Sequence, residues 1–271
     1  MTQPADRRNP WIRIEPARTP ASDFNLPRKI YHTAGLIIPL ALYFDVFGFM
    51  APARPVFTRE VCLVLLAVGV ALMFTIDTLR FGNETLNALF IRLLGPLLKQ
   101  EERKRYNATL PYFLACLVLM LIFSDVVVVF ACIYLMIGDP WAAYIGGYRG
   151  RVRFWNGKSL EGLLAFVVVG FLACLLFLLM HQALFGPAAP FALKDVAGNL
   201  RLAVPLVILA GVTFAALAEF FSVIALRGLF DDNLVVPLCG ALGILVAAWF
   251  TSEVQAHEIY FSSIGRLFVA H

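Results

Sequence analysis

Residues 160–181 read LEGLLAFVVVGFLACLLFLLMH, and Glu161 is their only ionised side chain. A helix rises about 1.5 Å per residue, so roughly 20 apolar residues cross a hydrocarbon layer about 30 Å thick. This stretch is long enough to span a membrane. Working outward from it, six more segments approach the same length and character: about 30–50, 60–79, 108–124, 126–146, 202–226 and 234–250. Segments 108–124 and 126–146 are parted only by Ser124 and Asp125, which predicts a tight hairpin. Composition agrees, with 61% of the 271 residues hydrophobic and 15% charged; a soluble domain carries about 25% charged residues. The expected fold class is all-α: a polytopic membrane helix bundle of about seven transmembrane helices, with one or two interfacial amphipathic helices.

Two segments have the one-sided pattern of an interfacial helix. Between Glu84 and Lys99, apolar residues fall at Leu86, Leu89, Phe90, Leu93, Leu94, Leu97 and Leu98, the i, i+3, i+4, i+7 spacing of an amphipathic helix. Tyr260, Phe261, Ile264, Leu267 and Phe268 repeat it more weakly. Residues 1–27, rich in Pro and Arg with no apolar core before Leu36, read as a flexible cytoplasmic tail rather than a signal peptide. Residues 28–250 then form the transmembrane domain and 251–271 an amphipathic tail. The five cysteines lie inside apolar runs without ligand-like spacing and read as packing residues, which excludes a zinc framework.

Basic residues set the orientation. With the N-terminus cytoplasmic, 17 of the 22 Lys and Arg residues fall on the cytoplasmic side. The expected location is a multi-pass membrane protein, in a bacterial inner membrane, with its N-terminus inside.

Unusual polar residues gather at that face. Asp77 and Arg80 lie three apart, on one helical side; Asp139 and Glu219 are carboxylates within apolar stretches, where an ionised group needs a polar cavity or a partner. Asp231, Asp232 and Asn233 open the last span, as a cap or as ligands. Arg28, Lys29 and His32 open the first, as anchors, packing residues or ligands. Asp77 and Arg80 read equally well as a structural ion pair. Glu219, eight residues before Arg227 in one helix, is expected roughly 12 Å deeper than it.

The run Gly157-Lys158-Ser159 fails as a phosphate-binding loop of the Walker type, because Val152 stands where a Gly is needed and the run follows no predicted strand. It does open a helix, whose free N–H groups beside Lys158 and Ser159 suit a phosphate. Nearby carboxylates suit Mg²⁺, which takes a few carboxylates plus substrate phosphate oxygens.

Arg28-Lys29-x-x-His32, Gly138-Asp139-Pro140, the run from Gly157 to Gly162, and Asp231-Asp232-Asn233 with Pro237 occur in this order. Together they resemble the dolichol kinase and phytol kinase family of polyprenol kinases, which includes a CTP-dependent diacylglycerol kinase. The resemblance covers about Arg28 to Phe250. It implies a membrane kinase that transfers the γ-phosphate of CTP, with a divalent metal such as Mg²⁺, to the hydroxyl of a lipid alcohol. The implied catalytic set is Asp139, Lys158, Glu219 and Asp77. Nucleotide contacts are implied for Lys158, Ser159, Glu161, Gly162, Asn233, Arg80, Arg28, Lys29 and His32, and metal contacts for Asp139, Asp231 and Asp232. The run Asn107-Ala108-Thr109-Leu110 and Val235 depart from the family pattern, which bears on substrate choice.

The expected partners are a nucleotide and a membrane lipid alcohol (polyprenol, phytol, farnesol or diacylglycerol), with no nucleic acid. Two other readings stay open. A phosphatidate cytidylyltransferase would use CTP but attach CMP to a lipid phosphate. A lipid carrier or scramblase would need polar residues through both halves of the bilayer, whereas here they are expected to stop at the inner side.

Overall fold

The computed structural model describes residues 12–14, 32–95 and 105–268. The chain forms a helical bundle with a two-stranded patch at one end. After strand β1 (Ile12–Ile14), a broken first span over His32–Met50 contains helix α1 (Ile37–Tyr43). Then come α2 (Phe57–Gly82), α3 (Glu84–Leu94), α4 (Thr109–Ile122) and α5 (Asp125–Ile133). A π turn over Tyr134–Gly138 joins α5 to α6 (Asp139–Arg149). Strand β2 (Val152–Phe154), α7 (Leu160–Phe185), α8 (Ala203–Phe221), α9 (Asp232–Ala248) and the one-turn α10 (Ala256–Ile259) complete the order.

Five stretches are long and apolar enough to cross a membrane: His32–Met50, α2, the continuous α5–α6 helix, α7 and α8; α4 and α9 are shorter apolar helices. These seven correspond in order to the seven segments read from the sequence. The protein is a multi-pass helical bundle.

The α5–α6 helix is its central post. Of its most apolar eighteen residues 72% are buried, against 22% for α2 and 28% for α7, whose remaining faces are left for lipid. Val127 to Cys132 and Tyr134 are fully enclosed. Tyr134 fills the middle of the bundle, and its hydroxyl donates to the Ile208 carbonyl at 3.3 Å. α8 and α9 close around that ring because Gly240 leaves room for it; a Cβ at Gly240 would lie 2.5 Å from Tyr134 Cδ2.

The π turn has a local cause. Pro140 has no N–H to give to the helix and its ring crowds the preceding turn, so the backbone widens just ahead of Asp139.

Three expectations change. α8 ends at Phe221 rather than near 226, so Glu219 lies in its last turn and not 12 Å below Arg227 in a continuous helix. Residues Ser222 to Asp231 instead form a turn closed by the Ala225 and Phe230 pairing. At the C-terminus, residues 260–268 make an isolated bridge and a 3₁₀ turn, not an amphipathic helix. The first expected amphipathic helix is present as α3, with Leu86, Leu89 and Leu93 exposed.

Buried charge is also not confined to one end. At the far end Arg59, 4% exposed, pairs with Asp125 and donates to the Phe123 carbonyl at 3.1 Å. Glu258 accepts hydrogen bonds from the Phe191 N–H at 2.6 Å and from Arg201 at 2.8 and 3.0 Å. His181 completes this layer. A carbonyl only accepts, so Nε2 donates to Pro190 at 2.8 Å and Nδ1 accepts from the Tyr43 hydroxyl at 2.5 Å. These groups satisfy one another and are separated from the other end by the apolar middle of α5.

Candidate active site

The segments 105–108, 150–159 and 222–231 meet at one end of the bundle, where the Tyr106 N–H donates to the Arg227 carbonyl at 2.8 Å and Asn156 Nδ2 to the Phe220 carbonyl at 2.6 Å. Strand β2 leads into the turn carrying Lys158. Gly157, at φ +79°, takes a left-handed conformation that a side chain would disfavour. The Asn156 side chain accepts from the Lys158 N–H at 3.1 Å, so the lysine leaves a fixed turn.

Lys158 Nζ lies 2.8 Å from Glu219 Oε1 and also donates to the Glu219 carbonyl. It thereby joins the N-terminal end of α7 to the C-terminal end of α8, where a cation is favoured by the exposed carbonyls. Asp139 and Asp232 are close enough that their charges act on Glu219. Asp139 enters from the helix just after the π turn, and Asp232 from the first turn of α9. Lys158 and Glu219 thus pair from segments distant in sequence, with Asp139 and Asp232 at the same end of the bundle.

This cluster carries three carboxylates against one ammonium. Asp232 Oδ1 is buried and has no hydrogen-bond partner among the described residues. A buried unpaired carboxylate oxygen is costly, and like charges gathered without compensation more so. The donor set therefore fits an added cation. Among the described residues no three His, Cys, Asp or Glu side chains are grouped closely enough to hold a metal ion by themselves. Two carboxylates completed by phosphate oxygens remain a fitting arrangement for Mg²⁺.

Other expected site residues frame this cluster. Ser159 caps α7, its Oγ accepting from the Gly162 N–H at 3.1 Å. Glu161 accepts from the N–H groups of Arg151 and Val152 at 2.9 and 3.3 Å. Gly162 lets α6 approach α7, since a Cβ there would lie 2.9 Å from the Ala142 carbonyl oxygen. Asp231 caps α9, with Asn233 donating to both its oxygens at 2.9 and 2.8 Å, and burial pushes its carboxyl up to about 6 against those bonds.

Asp77 and Arg80 form a separate group. Their side chains are each 1% exposed and 2.6 Å apart; Asp77 also accepts from the Asn107 N–H at 2.8 Å, and Arg80 donates to Asn87 at 3.1 Å and to the Arg105 carbonyl. Both side chains are enclosed, and these contacts support the reading of the two residues as a structural ion pair. His32 is half-buried at the start of the first span. Arg28 and Lys29 lie outside the described residues.

One contributor was not singled out from the sequence. Arg153 donates to the carbonyls of Gly157 and Gly146 at 3.1 and 3.0 Å, clamping the Lys158 turn to α6. Its only visible signal was one charge among several.

The chain is 26% identical over 218 residues to the CTP-dependent diacylglycerol kinase 1 of Schizosaccharomyces pombe, covering 80% of this chain and 90% of that one. It is 27% identical over 226 residues to the protein of that name from Saccharomyces cerevisiae, covering 80% and 71%. With that of Eremothecium gossypii the identity is 29% over 224 residues, covering 80% and 65%. No protein-family model and no solved structure matches the chain. These relatives are eukaryotic and lend no support to a bacterial inner membrane. The chain is thus similar to the CTP-dependent diacylglycerol kinases over most of its length, consistent with the resemblance that its polar motifs carry.

Proposed function

We propose that this protein is a membrane kinase that moves the γ-phosphoryl group of CTP to the hydroxyl of a lipid alcohol, with diacylglycerol, for which its relatives are named, as the acceptor. The observation that carries the reading is the Lys158–Glu219 ion pair at the mouth of the bundle, with the carboxylates of Asp139 and Asp232 at the same end. Phosphoryl transfer asks a protein mainly for positioning and charge. Lys158, on a fixed turn at a helix N-terminus, exchanges Glu219 for a nucleotide phosphate oxygen. Freed from the lysine, Glu219 accepts the proton of the attacking hydroxyl, and Asp139 is the alternative base. The lipid oxygen bonds to the γ-phosphorus, the bond to the bridging oxygen breaks, and CDP leaves. A divalent cation held by Asp139 and Asp232 would neutralise the phosphates. The basic excess on the loops of this end supports a cytoplasmic site.

Two further features support an acceptor that stays in the membrane. Trp141, Tyr144 and Tyr148 form an exposed aromatic ladder on α6 beside Asp139, as suits a membrane interface. Among the described residues the middle of the central helix, Val127 to Cys132, is apolar and enclosed, which supports a one-ended site over a carrier.

The test is label transfer in detergent-purified protein with diacylglycerol and a panel of polyprenols. CTP labelled at the γ position should label the lipid and release CDP, while α-labelled CTP leaves it unlabelled. Transfer of the α label alone, onto phosphatidic acid, would replace the kinase with a cytidylyltransferase.

A further inference from the structure

A groove of about 410 Å³ lies at the end of α2, lined by Arg80, Phe81, Asn83, Glu84, Asn87 and Arg227 among others, and it shares no lining residue with the Lys158 cluster. Its two arginines are held differently. Arg80 is neutralised by Asp77. Arg227 is exposed and pairs with no carboxylate among the described residues; its guanidinium lies over the Phe81 ring, 5.6 Å from the centroid.

The backbone beneath it is strained. Leu226 and Arg227 take φ values of 48° and 56°, followed by Gly228 at 91°. Two consecutive side chains in the left-handed region persist only where the surroundings hold them, and such strain collects at ligand-binding positions. Here the hold comes from the Tyr106 N–H on the Arg227 carbonyl and the Gly228 N–H on the Ala225 carbonyl at 3.0 Å. The turn keeps a cation over a groove without supplying an anion. Glu84, at the start of α3, is the one acidic residue among those named in the lining. That same helix exposes Leu86, Leu89 and Leu93, which in a membrane protein belong in lipid and set the groove at the bilayer surface.

We propose that this groove binds the phosphate of an anionic phospholipid from the surrounding membrane, with Arg227 making charge-assisted hydrogen bonds to it and the α3 leucines flanking its chains. The proposal does not rest on the kinase reading, because binding is measured without turnover.

The experiment uses the full chain in uncharged detergent, following thermal unfolding against added dioctanoyl phosphatidylglycerol, dioctanoyl phosphatidylcholine and inorganic phosphate, none of which is an acceptor or product of the proposed kinase. The anionic phosphatidylglycerol should raise the midpoint, and the zwitterionic phosphatidylcholine and inorganic phosphate should not. Arg227→Asn, which tolerates the left-handed backbone, should weaken the apparent affinity at least about tenfold, Arg227→Lys should lose less, and Lys158→Ala should leave it unchanged. If Arg227→Asn fails to fold, Glu84→Gln, which removes the opposing charge, should tighten binding about twofold or more. Unchanged affinity in Arg227→Asn or Glu84→Gln overturns the proposal. An equal rise with inorganic phosphate that competes with the lipid assigns the groove to free phosphate and overturns the lipid. Loss of binding in Lys158→Ala moves the phosphate to the other cluster and overturns the groove.

Discussion

Lys158 and Glu219, which are 61 residues apart in the chain, meet as an ion pair of 2.8 Å between the start of α7 and the end of α8. Each is half of a binding group: the lysine needs an anion, and the carboxylate needs a proton or a cation. A nucleotide carrying its metal supplies both.

Replacing Lys158, or Asp139 beside the pair, should therefore affect turnover more than folding. Lys158→Ala and Asp139→Asn are each expected to lower kcat at least about tenfold, the scale of one lost phosphate or charge contact in a transition state. The folded fraction recovered from membranes should stay near that of the wild type. Cys239→Ser, at a half-buried thiol in α9, should leave kcat nearly unchanged. Steady-state rates with the folded fraction from gel filtration check this.

Asp77 should behave in the opposite way. Asp77→Ala leaves the enclosed Arg80 guanidinium without its counter-charge, and breaking a buried pair in that manner costs about 3–5 kcal/mol. The expected outcome is a large fall in thermal midpoint, with lost activity tracking lost fold. A well-folded but inactive Asp77→Asn would restore this residue to the catalytic set.

Topology is testable with thiols. Four native cysteines are buried and Cys239 is half-buried, so Cys239→Ser is enough to give a low background. A cysteine at Arg151 should label only from the cytoplasmic side of sealed vesicles, and one at Ala188 only from the other. The reverse pattern would place the Lys158 cluster where CTP is absent.

Acid should loosen the far end. Burial pushes the Glu258 carboxyl up, but hydrogen bonds from Arg201, Gln255 and Phe191 outweigh it and hold the group below its ordinary value. A carboxyl depressed on folding contributes stability that is complete above its unfolded value of about 4.3 and is lost as pH falls through its folded value. The thermal midpoint should decline as pH drops below about 4.3. Glu258→Gln should cost about 1–3 kcal/mol near neutrality and flatten that acid decline.

The spans were legible because apolar length is a local property, and Leu160 to His181 declares itself without reference to any other segment. The start of α7 was legible for a similar reason, since Gly157, Lys158 and Ser159 stand together just ahead of the apolar run. What escaped was pairing at a distance. Arg59 with Asp125 and Arg201 with Glu258 join residues 66 and 57 positions apart, so neither pair leaves a pattern in its own neighbourhood. Ile12 to Ile14, within a tail expected to be flexible, pair with Val152 to Phe154 for the same reason. The depth of Glu219 was overestimated because the hydropathy of residues 222–226 continues past the helix, and hydropathy does not register the left-handed turn that follows.

The π turn before Asp139 acts as a rotary index. Each residue advances an α-helix by about 100°, so one surplus residue within Tyr134–Gly138 sets the angle at which everything downstream faces the bundle. Deleting Ile137 would leave helical content and every functional residue type unchanged, yet swing Asp139 about a quarter turn away from Glu219. Activity in this segment is thus keyed to residue count as well as residue type. Chain-length change here should be tolerated far less than most single substitutions, and an alignment that slips by one position would pair the wrong carboxylate.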